Sequence, residues 1–271
     1  MCPPPITPDE QDDIKLKGAD STIIGNVSDR LKVDAAFSTI PVTPVYPGGV
    51  PGIAHGQVTL SASGIGVVRK TAYTEQTSNA QRSIVSSSAS DTSAGTGART
   101  VKVTYYDVSG NGPFTETLTM NGTSAVNTVS TTICFVERIE VLSYGSFGAN
   151  VGTISLKAAT GGGGATVFSI AIGDNTTLQA HHYVATGKIG YIKSVTVSSS
   201  SGDSALFYLI FSNHATDFDS GRQDQFQCPV SGSFQRHYDV PLAVPSGFHF
   251  ALVATADSAG TYYGTIDYFD V

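Results

Sequence analysis

The side chains that could carry chemistry are few and scattered. Six histidines come first. His181 and His182 are adjacent in the run Leu178 to Val184, which reads as a strand, where neighbouring side chains leave on opposite faces. Two such imidazoles cannot grip one ion, and no HExxH motif or carboxylate cluster accompanies them. The expectation is one ring buried or at an interface and the other solvated. His55, His214, His237 and His249 stand without ligand spacing. Glu137 and Glu140, in Phe135-Val-Glu-Arg-Ile-Glu-Val-Leu142, have the residue types of a glycosidase pair. Arg138 and strand pairing explain them more simply.

Other patterns lead to turns. The run Gly161–Gly164 is not a phosphate loop, because Ala165 to Ile172 reads as a strand and such a loop must open a helix. Thr186-Gly-Lys188 lacks the earlier glycine of that motif. No Gly-x-Ser-x-Gly elbow is present. Asp174-Asn175 and Asp217 to Asp219 lack the ligand density that calcium needs and fit turn chemistry. Cys2, Cys134 and Cys228 are odd in number and without CxxC spacing, so neither a disulfide framework nor a thiolate zinc site follows. The pairs Tyr105-Tyr106 and Tyr262-Tyr263 are expected to place one ring inward and one outward. The reading is a protein without catalytic residues, metal or cofactor.

The elements that must position these residues are strands. Of 271 residues, 40% are hydrophobic and 14% charged, against a usual charged share of about 25%. That excludes ion-pair-laced bundles, coiled coils and charge-rich disordered tails. No stretch approaches the roughly 20 apolar residues of a membrane helix, so no membrane insertion is expected. With 15 basic and 22 acidic residues the net charge is −7, which argues against a direct nucleic-acid partner. The opening Met1-Cys-Pro-Pro-Pro lacks the basic and apolar regions of a secretory leader, so synthesis in a cytoplasm is expected.

Short runs rich in Val, Ile, Thr, Tyr and Phe alternate with period two from residue 53 onward. Gly, Asn and Asp signals such as Asn121-Gly and Gly173-Asp-Asn separate them. The fold class is therefore all-β: an antiparallel β-sandwich or jelly-roll body with an extended N-terminal arm. The expected organisation is an arm over 1–40, a Pro/Gly linker over 41–52, a small β-unit over 53–98 and the sandwich over 99–271. Within the arm, Ile23, Ile24, Val27, Leu31 and Val33 flank turn residues around Asn26 and Asp29. This hairpin is too small to bury its own apolar face.

Two segments resemble virion structural proteins of tailed double-stranded-DNA bacteriophages. One is Asp20-Ser-Thr-Ile-Ile-Gly-Asn-Val-Ser-Asp-Arg-Leu-Lys-Val-Asp34. The other runs from Gly97-Ala-Arg-Thr-Val-Lys-Val-Thr-Tyr-Tyr-Asp107 to Cys134-Phe-Val-Glu-Arg-Ile-Glu140. The resemblance covers the arm and about half of the body. It implies a structural role as a head decoration, cement or head-fibre subunit, or a tail-associated component; the alternative, a tail-associated receptor- or carbohydrate-binding protein, would use the Tyr- and Asp-rich loops of the C-terminal body. The expected partners are other virion proteins, a major capsid protein or a neck or tail component, with the chain as a homotrimer located in the virion. Ile23, Ile24, Asn26, Val27, Asp29, Arg30, Leu31 and Val33 are the expected docking residues. Each buried aliphatic side chain among them would contribute about 1.5–3 kcal/mol before ordering costs.

Overall fold

The computed structural model describes residues 49–200, 204–214, 221–229 and 232–271. The arm, the first part of the linker and the eight expected docking residues lie outside these residues. The first strands are β1 (Val50–Leu60) and β2 (Ile65–Val67). They are followed by β3 (Ser83–Ser86), β4 (Ala98–Tyr106), β5 (Phe114–Thr119), β6 (Val126–Asn127), β7 (Phe135–Tyr144), β8 (Ile154–Lys157) and β9 (Thr166–Ile170). The last group is β10 (His181–Tyr183), β11 (Gly190–Ser199), β12 (Ala205–Ser212), β13 (Arg222–Cys228), β14 (Ser233–Val244), β15 (His249–Ala256) and β16 (Gly260–Asp270). The described residues contain no α-helix, and the glycine run forms a 3-10 turn at Thr160–Gly162 that leads into strand β9.

The strands build two antiparallel sandwiches, one inserted into the other. In the outer sandwich, sheet β1-β16-β11-β14 packs on sheet β10-β15-β12-β13, with β2 added beside β15. Phe207, Phe226, Phe250, Leu252, Tyr262 and Ile266 fill the space between them. In the inserted sandwich, β6-β3-β8-β9 packs on β5-β4-β7 around Ile84, Val101, Tyr106, Ile139, Leu156 and Phe168. The chain leaves the outer sandwich after β2 and returns with β10.

Period-two burial runs along β16 and much of β4, with side chains alternating between core and surface. Strand β15 is buried at almost every position, because it lies inside its sheet with both faces covered, and its sequence is correspondingly apolar.

The expected boundary between a unit over 53–98 and a body over 99–271 does not separate the sheets. Strand β1 pairs with β16 from Val50↔Asp270 to Leu60↔Gly260, whereas β3 and β4 share the core of the inserted sandwich. Residues 50–52, expected in the linker, begin β1. Pro51 is tolerated there because β1 is an edge strand of its sheet. Gly56 marks a close crossing: a Cβ at this position would lie 2.2 Å from the Val68 carbonyl oxygen and 2.3 Å from the Ala180 nitrogen.

The Ser/Thr/Gly tract from Ser86 to Gly97 is ordered by one buried side chain. The Asp91 carboxylate accepts from Ser86 Oγ at 2.5 Å and from the Ala98, Val151 and Gly152 amides at 2.7, 2.9 and 2.8 Å. It thereby holds the loop, the start of β4 and the turn before β8 at one point. Replacing Asp91 with Ala leaves three amides without their acceptor, so Asp91→Ala is expected to lower unfolding stability by about 3–5 kcal/mol. Ser93→Ala, at an exposed position in the same tract, is expected to stay within about 0.5 kcal/mol. Urea midpoints of the two variants check this, and equal midpoints would refute the role given to Asp91.

Candidate functional site

The richest chemistry in the described residues lies where the two sandwiches meet. Strand β7 of the inserted sandwich brings Glu137; strands β10, β15 and β16 of the outer sandwich bring His181 and His182, His249, and Asp270. Because β10 alternates its faces, the two adjacent histidines serve two different clusters.

His182 donates from Nδ1 to Glu137 Oε1 and from Nε2 to Asp270 Oδ2, the latter at 2.8 Å. Tyr106 donates its hydroxyl to Glu137 Oε2 at 2.9 Å. Tyr268 stacks on the His182 ring with centroids 4.0 Å apart. Burial alone would push the imidazole down. The Glu137 charge, the hydrogen bonds to Asp270 and Glu137 and the Asp270 charge outweigh it and raise His182 to about 9. Burial pushes the Glu137 carboxyl up, but the His182 charge and hydrogen bonds from His182 and Tyr106 hold it below its usual range. At neutral pH the centre is an imidazolium clasped by two carboxylates.

His181 faces the other way. The Arg69 guanidinium has only donors, so its Nη2 gives a hydrogen bond to His181 Nδ1 at 3.1 Å. His181 therefore carries its proton on Nε2 and donates to His249 Nδ1 at 2.9 Å. Phe135 from β7 lies edge-on to both rings, with centroids 5.4 and 4.8 Å away. Burial, followed by the neighbouring charges of His182 and Arg69 among others, depresses His249 to about 3. Burial, then His249 and Arg69, puts His181 well below its usual value. These two rings are neutral where His182 is charged.

The sequence expected one buried and one solvated ring at 181 and 182; both are buried, at 1% and 3% exposure. The missing solvated face is covered by the inserted sandwich, whose arrival from residues 83–170 leaves no local trace in the pattern. His249, read as isolated, belongs to the same junction. Tyr105 and Tyr106 are also both buried: Tyr105 continues the inward series of Val101 and Val103, and Tyr106 is covered at the junction, where its ring packs on Tyr183 and its hydroxyl meets Glu137. Tyr262 is buried and Tyr263 half-buried. Glu140 does pair with strand neighbours, Lys102 at 2.8 Å and Arg138 at 3.9 Å. Asp174 pairs with Lys70 at 2.7 Å, and 217–219 lie outside the described residues. Cys134 and Cys228 are buried free thiols.

Both N–H groups of His182 are engaged, so it has no lone pair to act as base or ligand. Among the described residues no group of three or more His, Cys, Asp or Glu is arranged to hold a metal ion. A cleft of about 320 Å³ opens beside this centre, with Tyr106, Tyr268, Glu137, His182 and Asp270 in its wall.

No protein-family model matches the chain, and no curated protein matches it. Among solved structures it aligns with the structure of infectious bursal disease virus, Gx strain, at 9% identity and a TM-score of 0.18. That alignment covers 82% of this chain and 71% of that one. The Gt strain structure aligns at 8% identity and a TM-score of 0.17, over 82% and 72%. The VP2 subviral particle of that virus aligns at 10% and 0.16, over 82% and 71%. Similarity this low establishes neither a common fold nor a common function.

The two histidine clusters give stability opposite slopes in pH. His182 is raised, so its contribution is complete below pH 6.5 and is lost as pH rises through about 9. His249 and His181 are lowered, so theirs is complete above pH 6.5 and is lost as pH falls, toward about 3 for His249. Glu137 adds to the acid limb in the same sense. Thermal stability is expected to peak near pH 6.5. His182→Gln should lower it there by about 3–5 kcal/mol and remove the alkaline slope while keeping the acid one. Melting curves between pH 4 and 9 check this, and stability that climbs steadily to pH 9 would refute it.

Proposed function

We propose that this chain is a virion structural protein, a capsid-surface decoration or head-fibre subunit of a tailed bacteriophage, attached through its N-terminal arm. The segments Asp20–Asp34 and Gly97–Glu140 supply the link to virion proteins through their resemblance to that family. The all-β body supports it: two sandwiches joined through buried polar and aromatic contacts make a stiff module.

One observation carries the non-catalytic part of the reading. In the cluster with the most catalytic residue types, the polar groups of His182 and Glu137 are held by protein partners, while Asp270 Oδ1 is buried without one. His182 has both nitrogens engaged, and Glu137 accepts from His182 and Tyr106. Arg69 and His181 orient His249. Such an arrangement holds two domains in one pose rather than moving protons to a substrate. The partners in this reading are a major capsid protein or a neck or tail component, with two further copies of the chain completing a trimer.

Quantitative mass spectrometry of purified particles should find this chain at a fixed stoichiometric copy number. Deleting residues 1–40 should abolish incorporation while the remaining chain keeps its melting temperature. A chain absent from particles, or incorporation unchanged by the deletion, would overturn the proposal.

A further inference from the structure

The cleft beside the Glu137–His182–Asp270 centre is part of a longer groove. It shares Pro51, Arg138 and Tyr268 with a second depression of about 710 Å³ that runs along the outer face of β1, β16 and β11. The inner volume of about 320 Å³ lies within the roughly 300–1,000 Å³ of small-ligand sites. Its floor is fixed, because Tyr268 is held against His182 from one side and Gly52 approaches its ring from β1.

Positive charge gathers along the walls of this groove. Lys102 and Lys188 line the inner part, Arg138 the junction and Lys193 the outer part. These are four of the 15 Lys and Arg residues of a chain whose net charge is −7. Lys188 and Lys193 are exposed, and neither has an ion-pair partner among the described residues. Arg138 is 3.9 Å from Glu140, and its side chain is 42% exposed, which leaves its guanidinium accessible to a second carboxylate. Two of the acidic residues, Glu137 and Asp270, share the single positive charge of His182 and keep one net negative charge between them. The other two, Glu140, paired with Lys102 at 2.8 Å, and Asp267, which accepts from Ser194 Oγ at 2.6 Å, keep further acceptor lone pairs on the walls.

We propose that this groove binds a short acidic saccharide, a run of uronate units. Its carboxylates would meet Arg138, Lys188 and Lys193, its hydroxyls would donate to Glu140 and Asp267, and its ring faces would lie on Pro51 and the exposed Ile53. A nucleic acid fits poorly, since Tyr268, 7% exposed, offers no open ring for base stacking. An acidic peptide matches the cations but brings few hydroxyl donors for the two wall carboxylates. This inference is independent of particle attachment, because it concerns the body and not the arm.

Short oligogalacturonates titrated calorimetrically into the full chain, at low ionic strength, test it. Neutral galactose oligomers of equal length and an oligoglutamate peptide run in parallel. Galacturonate is expected to bind about tenfold more tightly than either, and to weaken as salt is added. Arg138→Gln combined with Lys188→Ala should weaken it about tenfold further, whereas Lys157→Ala, on β8 of the inserted sandwich, should leave it unchanged. Lys188→Ala alone, at an exposed position, carries the test if the double variant does not fold. No galacturonate binding, equal binding of the neutral oligomer, tighter binding of the peptide or an unaffected double variant would each overturn it.

Discussion

The structure turns on one charged ring between two carboxylates. His182 belongs to the outer sandwich and Glu137 to the inserted one, so their contact ties the two cores together beside the packing of Phe135 on His181 and His249 and of Tyr106 on Tyr183. Burying a charge is expensive unless it is paired and hydrogen-bonded, and here both ring N–H groups, both oxygens of Glu137 and Oδ2 of Asp270 are engaged. Such a group contributes little net stability over well-packed apolar residues, but removing one partner strands the others. Its consequence is directional: the inserted sandwich has one pose in which the charges are satisfied.

A second cluster, on the opposite face of β10, shows how environment decides protonation. His181 and His249 have the same side chain as His182 and are also buried, yet the charges that act on them come from Arg69 and the other imidazoles. Burial first, then the charges of Arg69 and the neighbouring imidazoles, disfavour a further positive charge. The neighbouring imidazoles therefore sit in opposite states at one pH, the charged one as a clasp and the neutral pair as a hydrogen-bonded relay packed on aromatic rings.

Away from the junction, buried polar side chains organise backbone that strands do not. Arg82 donates from its guanidinium to the carbonyls of Ser78, Ile133 and Ala158 and to Gln76 Oε1, tying three loops of the inserted sandwich together. Asp91 does the same with amides. Each satisfies backbone groups that would otherwise be buried without partners, so long Ser- and Gly-rich connections become fixed parts of the body.

The sequence by itself determined the fold class and the position of most strands. Alternating Val, Ile, Thr and aromatic residues have a local cause, the two-residue repeat of a pleated chain, and Asn121-Gly and Gly173-Asp-Asn mark turns for equally local reasons. It also determined that His181 and His182 point apart. Only the tertiary structure decided what they point at: β1 finds β16 more than 200 residues later along the chain, with Val50 opposite Asp270, and an inserted sandwich covers a face that pattern alone left open to solvent. Periodicity records which side of a strand is apolar, not which distant strand will lie against it. The Glu137–His182–Asp270 centre, assembled from three separate strands, therefore had no signature in any single stretch of residues.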